Sequence, residues 1–290
     1  MAKRDIWAEW LAERRSGGDA EVRRRMLEHL GPVRDKVLDR ARLADGETLL
    51  DVGCGEGLIG FGALERGAGR VVFSDISDDL LELCRETAEA LGLADRCSFV
   101  RAGAEDLAGI EPASVDVVAT RSVLIYVERK DSAFAEFFRV LRPGGRISLY
   151  EPINRFCMDE KRAGFWGYPS DGVAELADRV EQVYNAIQPP SDPMLDFDER
   201  TLLQLAEAAG FFPIELELQA EIRPLDPRPW QAFLHSSGNP KIPTIAEAMD
   251  QALSADERDR LSRHLRPLVE EGRGVWRMAH AYLRAERPPG

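Results

Sequence analysis

Cysteine is scarce in this chain: Cys54, Cys84, Cys97 and Cys157 are the only four in 290 residues. They share no metal-ligand spacing and form no disulfide framework, which is the pattern of reduced thiols in a cytosol. Long apolar runs are missing too. None approaches the ~20 residues that cross a bilayer. The first fifteen residues, MAKRDIWAEWLAERR, lack the apolar centre of a secretory signal. A cytoplasmic chain with no membrane partner is therefore expected. Positive charge is in deficit: the net charge is −13. That excludes non-specific attraction to nucleic acid or to anionic lipid, so no nucleic-acid partner is expected. Carboxylates do not cluster as metal ligands, and no metal is expected.

What is present is a hydrophobic fraction of 44 %, enough for a sizeable core in one elaborated α/β domain or two small ones. The chain is organised around Thr48 to Ala63, TLLDVGCGEGLIGFGA. Thr48–Val52 reads as a buried parallel strand. It runs into Gly53, Gly55 and Gly57, and Leu58 opens a helix. Glycines there allow φ values that other residues avoid and let a ligand approach the backbone. The helix behind them offers free N–H groups. Gly55-x-Gly57-x-x-Gly60 matches the letters of the dinucleotide fingerprint. The glycine directly after the strand is Gly53, however, and read from there Leu58 stands where a third glycine belongs. Asp51 puts a carboxylate at the strand tip, which repels a diphosphate and suits a cationic ligand.

With Asp51 in front, D-V-G-C-G-E-G resembles motif I of the class I S-adenosylmethionine-dependent methyltransferases, in particular the small-molecule type with a UbiE-like core. Their cofactor carries a sulfonium and an α-amino group and no phosphate. The resemblance covers residues 45 to 153, and more loosely 198 to 223 and 274 to 284. It implies a Rossmann-like, seven-stranded, mostly parallel sheet with a C-terminal antiparallel strand. It also implies S-adenosylmethionine as cofactor, with S-adenosylhomocysteine as product. Asp51, Gly53, Cys54 and Gly55 would line the cofactor. Arg70–Ser74 is the second strand. Asp75 after it lies 22 residues beyond Gly53, the spacing of a ribose-binding acid. Ile76 would then lie on the adenine. Gly103-Ala104-Glu105-Asp106 resembles the adenine-binding turn, with Gly103 where relatives carry Asp. Either Glu105 or the Ala104 backbone would read the base.

Ser114–Ala119 is a strand whose end, Thr120-Arg121, falls where cofactor and acceptor meet. Arg121 holds a substrate carboxylate or pairs with Glu151 or Asp51. Tyr126 stands where relatives often carry His, and it is either substrate-binding or a core aromatic. Arg155 is a further substrate-binding candidate. Leu141-x-Pro143-Gly144-Gly145 before a fifth strand, Arg146–Glu151, is a specific sign of the same class. Residues 1 to 45 read as amphipathic helices forming an N-terminal cap, with Trp10 either packed on the sheet or closing over the cofactor. The remainder, 46 to 290, forms the catalytic domain, with helical insertions at about 154–197 and 224–272 that would roof the strand ends. His235 and Tyr168, both in the insertions, are the general-base candidates. His29, His264 and His280 lie in helices or the final strand and are weaker candidates.

The acceptor implied is a small organic molecule methylated on O or N. The carboxylate cluster of metal-dependent O-methylation is absent, as are the converging cysteines of arsenite methylation. Thr120-Arg-Ser-Val replaces the N/D-P-P-Y/F tetrapeptide of DNA amino-methylation. A nicotinamide-dependent oxidoreductase and a non-catalytic cofactor-binding module are the alternatives. The sequence leaves the oligomeric state open.

Overall fold

The computed structural model describes residues 4–158 and 164–290. The Cys157 side chain and residues 159–163 of the first expected insertion lie outside the described residues. Seven strands form one sheet: β1 (Thr48–Val52), β2 (Arg70–Asp75), β3 (Cys97–Arg101), β4 (Val115–Arg121), β5 (Leu141–Pro152), β6 (Ile214–Pro224) and β7 (Val275–Glu286). Their order is β3-β2-β1-β4-β5-β7-β6. The first five run parallel, and β7 pairs antiparallel with β5. This is the mostly parallel sheet with an antiparallel C-terminal strand that the motifs imply. β1 sits centrally with Leu49 and Leu50 sealed from solvent. Such continuous apolar strands are what a sheet covered on both faces requires, and each buried leucine contributes roughly 2 kcal/mol.

The order reverses between β1 and β4, so their carboxyl ends open a crevice where ligands gather in such sheets. The register brings Asp51 beside Ala119 and Val52 beside Thr120. On the other flank Val52 lies beside Ser74. The Leu-x-Pro-Gly-Gly element departs from expectation in one respect. β5 already begins at Leu141, which pairs with Val115, and Arg146 pairs with Val117. The Arg142–Gly145 segment is thus a bulge within the ladder rather than a separate turn. Gly144 supplies a positive φ of 80° there.

The chain divides into two compact units. One comprises residues 30–154, 193–219 and 280–290 and holds β1 to β5 with the crevice between β1 and β4. Within it the Leu58–Glu65 helix packs on β2: a Cβ on Gly60 would stand 2.2 Å from the Phe73 ring. Phe73 in turn stacks on Phe99 with centroids 5.4 Å apart. Gly60, whose match to the dinucleotide fingerprint read as accidental, therefore lets helix and strand approach closely. Lys130 is buried in the same unit. Its ammonium donates to Asp196 at 2.6 Å and to the carbonyls of Val127 and Pro193.

The other unit gathers residues 1–29, 155–192 and 220–279. Its helices Ala174–Ile187, Ile245–Ala252 and Ala255–Glu270 enclose Phe165, Tyr168, Trp230, Phe233 and Met249. Thr244 with Glu247, and Ser254 with Glu257, form reciprocal capping boxes that start the last two helices. Among the described residues no helix is long and apolar enough to cross a membrane.

Candidate cofactor site

Three left-handed glycines at alternate positions shape the turn after β1, with φ of 63° at Gly53, 55° at Gly55 and 80° at Gly57. A side chain at any of them would be strained. Gly53 has a second reason to be glycine: a Cβ there would meet Val123 Cγ2 at 2.5 Å. The turn is pinned from the neighbouring strand. The Cys54 N–H donates to the Ser74 carbonyl at 3.0 Å. The Gly55 N–H donates to Asp75 Oδ2 at 2.9 Å, and the Ser77 N–H to Asp75 Oδ1 at 3.0 Å. Asp75 thus stands at the tip of β2, almost buried, with Oδ2 on the glycine turn and Oδ1 on the chain that follows β2.

Asp51 is 2 % exposed. Its Oδ2 accepts the Gly60 N–H at 2.9 Å. Gly57, at the helix N-cap position, has no side chain to cap the first turn, so a strand residue does it. Burial pushes the Asp51 carboxyl up to about 7, against the pull of the Gly60 N–H and of Arg121. Cys54 is buried beside Cys84, and both thiols face the Gly55 carbonyl, at 3.9 and 3.3 Å. A hydrogen bond with Cys84 and burial push the Cys54 thiol well above its usual value.

On the far side of β2, Ile76 is 50 % exposed. A Cβ on Gly103 would lie 3.5 Å from its Cγ2. Ala104 is buried behind it, and the Asp106 N–H closes the turn onto the Gly103 carbonyl. The exposed isoleucine next to a missing side chain leaves an open apolar slot. Glu105 is engaged elsewhere. It is exposed, and its carboxylate accepts the Arg129 N–H ahead of the Lys130–Val140 helix.

At the end of β4 Thr120 is sealed and Arg121 half-buried. Arg121 makes no ion pair with Glu151 or Asp51. The Glu151 carboxylate, at 0 % exposure, accepts Thr120 Oγ1 at 3.2 Å, the Val123 N–H at 3.0 Å and the Ile125 N–H at 3.4 Å. Burial raises it to about 7 despite these donors. Sequence reading weighed Glu151 only as a partner for Arg121. Its position one residue before the end of β5 was the sole signal of a role in the crevice. Tyr126 is half-buried on the short turn Leu124–Tyr126.

The remaining candidates belong to the other unit. Trp10 is buried there, its indole N–H donating to the Ser237 carbonyl at 3.0 Å. Tyr168 is 1 % exposed, edge-on to Phe233 at 5.6 Å. Burial raises its phenol above the usual tyrosine range. His235 is exposed at the C-cap of Trp230–Leu234, and Arg155 is exposed on Asn154–Met158.

A glycine turn at a topological switch point, with an acid at the next strand tip, is the arrangement of a Rossmann-like sheet. The family described as "Methyltransferase domain" matches residues 50–149. The tRNA 5-carboxymethoxyuridine methyltransferase of Escherichia coli (strain K12) is 30 % identical over 157 residues, 54 % of this chain and 55 % of that protein. The ubiquinone/menaquinone biosynthesis C-methyltransferase UbiE of Ruegeria sp. (strain TM1040) is 30 % identical over 192 residues, 61 % of this chain and 71 % of that one. Among solved structures, Haemonchus contortus phosphoethanolamine N-methyltransferase 2 in complex with S-adenosyl-L-methionine superposes with a TM-score of 0.53 at 19 % identity. That superposition covers 98 % of this chain and 56 % of the other. The chain spans about half the length of the first of these relatives, 55 %. It belongs to the class I S-adenosylmethionine-dependent methyltransferases.

Proposed function

We propose that this chain binds S-adenosylmethionine in the crevice between β1 and β4 and transfers its methyl group to an O or N nucleophile of a small organic acceptor bearing an acidic group. The observation that carries the reading is the shape of the glycine turn, pinned to Asp75 and flanked by the slot at Ile76 and Gly103. In this reading Asp75 also accepts from the ribose hydroxyls. Ile76 and the Ala104 backbone receive the adenine, and Asp51 faces the amino end of the cofactor. When bound, the sulfonium supplies a methyl group activated for in-line displacement. The sulfur–carbon bond breaks as the acceptor–carbon bond forms, and the acceptor's proton passes to solvent or to a base. The protein's task is alignment, which lowers such barriers by ~7–11 kcal/mol.

Arg121 supports the acidic-acceptor part. Glu151 takes the Thr120 hydroxyl and the Val123 and Ile125 N–H groups, Asp51 Oδ2 takes the Gly60 N–H, and Arg121 pulls on Asp51 through space but forms no ion pair among the described residues. A half-buried guanidinium that forms no direct ion pair among the described residues favours a carboxylate or phosphate on the incoming molecule. The relative that acts on tRNA supports a nucleic-acid acceptor as the second reading; the net charge of −13 opposes it.

Calorimetry with S-adenosylhomocysteine and with NAD tests the cofactor. Binding of NAD alone would replace the proposal with an oxidoreductase. Methyl transfer is then assayed with acidic and neutral small acceptors and with bulk tRNA. Arg121→Gln should lower kcat/KM for acidic acceptors by ten- to a hundredfold, the value of a charged hydrogen bond, and spare neutral ones. Equal loss on both would remove Arg121 from acceptor binding, and methylation of tRNA alone would favour the second reading.

A further inference from the structure

Glu151, one residue before the end of β5, directs its hydrogen bonds at the end of β4 and the short segment that follows it. Its two oxygens take the hydroxyl of Thr120 and the N–H groups of Val123 and Ile125. That segment is not regular structure and needs holding. Ser122 adopts a left-handed φ of 58° and is tied to β5 by its N–H on the Tyr150 carbonyl at 2.8 Å. A single tight turn follows, the Tyr126 N–H donating to the Val123 carbonyl at 2.9 Å. Such a turn has few intrinsic hydrogen bonds and no capping side chain of its own. A buried carboxylate that accepts several N–H groups is a strong organiser of the backbone around it. The segment it organises touches the cofactor turn: Val123 Cγ2 occupies the space where a Cβ on Gly53 would stand, 2.5 Å away. A continuous mechanical path therefore runs from the Glu151 carboxylate through the Val123 N–H and the Val123 methyl to Gly53.

We infer that Glu151 is a positioning residue for the cofactor site: it clamps Ser122–Tyr126 across the glycine turn, so that Val123 holds Gly53 in its left-handed conformation. The inference deepens the S-adenosylmethionine reading and rests on it. Glu151 touches no reacting atom in this role. It acts through the segment it holds, as an acid too committed to the backbone to serve as a base or as a partner for Arg121.

The test uses the full chain. In Glu151→Gln one oxygen becomes an NH2 group, which faces an N–H it can no longer accept from. Hydrogen–deuterium exchange of ligand-free protein should quicken in the peptide covering 122–126 and stay unchanged in β1. Affinity for S-adenosylhomocysteine, measured well below the unfolding temperature, should fall tenfold or more. A merely structural glutamate would lower the melting temperature and leave the affinity of the folded protein alone, so affinity within twofold of wild type overturns the inference. Unchanged exchange at 122–126 overturns it as well. Val123→Ala interrupts the same path at its other end, leaves every donor to Glu151 in place, and serves if Glu151→Gln does not fold. It too should weaken S-adenosylhomocysteine binding several-fold, and an unaffected affinity would refute the coupling. Wild-type protein that binds no S-adenosylhomocysteine would instead defeat the cofactor reading, and exchange at 122–126 would still judge the clamp.

Discussion

Binding of S-adenosylhomocysteine should become weaker as pH falls from 7.5 to 6, and Asp51→Asn should abolish that dependence. Asp51 is buried to 2 % exposure and its carboxyl is raised to about 7, chiefly by desolvation. The Gly60 N–H and Arg121 favour the charged form, and the nearby Asp75 disfavours it. A ligand ammonium beside Asp51 adds a positive charge, so binding selects the carboxylate and expels the proton. At pH 6, one unit below that value, only about one molecule in ten carries the charge. Affinity should therefore fall about tenfold relative to its plateau, roughly 1.4 kcal/mol. Calorimetry at pH 6 in two buffers of different ionisation enthalpy should count close to one proton released per ligand bound. Asp51→Asn keeps an oxygen for the Gly60 N–H and loses the titration, so its affinity should be flat across this window and below the wild-type plateau. A flat wild-type profile would refute the reasoning. So would an unchanged slope in Asp51→Asn, which would assign the proton to Glu151, the other carboxyl raised to about 7. The same sign governs stability. A folded-state pKa raised above the unfolded one contributes stability that is complete below about pH 4 and disappears as pH climbs through about 7.

Two further outcomes follow from the same unit of the structure. Asp75→Ala removes the acceptor of the Gly55 and Ser77 N–H groups together with the expected ribose contact. It should weaken S-adenosylhomocysteine by ~1–3 kcal/mol, and calorimetry showing affinity within twofold of wild type would take Asp75 out of the site. Lys130→Met strands Asp196 and two carbonyls. With Lys130 only 6 % exposed, this should destabilise the fold by about 3 kcal/mol in urea unfolding; a change below 1 kcal/mol would mean that solvent already screens the pair.

Backbone demands that act over a few residues were legible without coordinates. Three glycines at alternate positions after an apolar run state a left-handed turn, because φ near +60° is cheap only for glycine. Asp75 at the tip of the second strand follows from its spacing after Gly53, and the antiparallel last strand from the family resemblance. The destination of a long polar side chain was not legible, because it depends on which elements the fold sets side by side. Glu105, read as an adenine contact, spends its carboxylate on Arg129, 24 residues further on. Glu151, weighed as a partner for Arg121, reaches back 28 residues to Val123. Trp10 finds its acceptor 227 residues away, on Ser237. The expected boundary at residue 45 follows the amphipathic periodicity of the first helices; the compact unit containing the first 29 residues also draws in 155–192 and 220–279. Local sequence determined where the chain must turn and which ligand charge the turn tolerates. Tertiary structure alone decided which carboxylates are left to meet a ligand, since each buried acid goes to whichever unsatisfied N–H the packing brings within 3 Å or so.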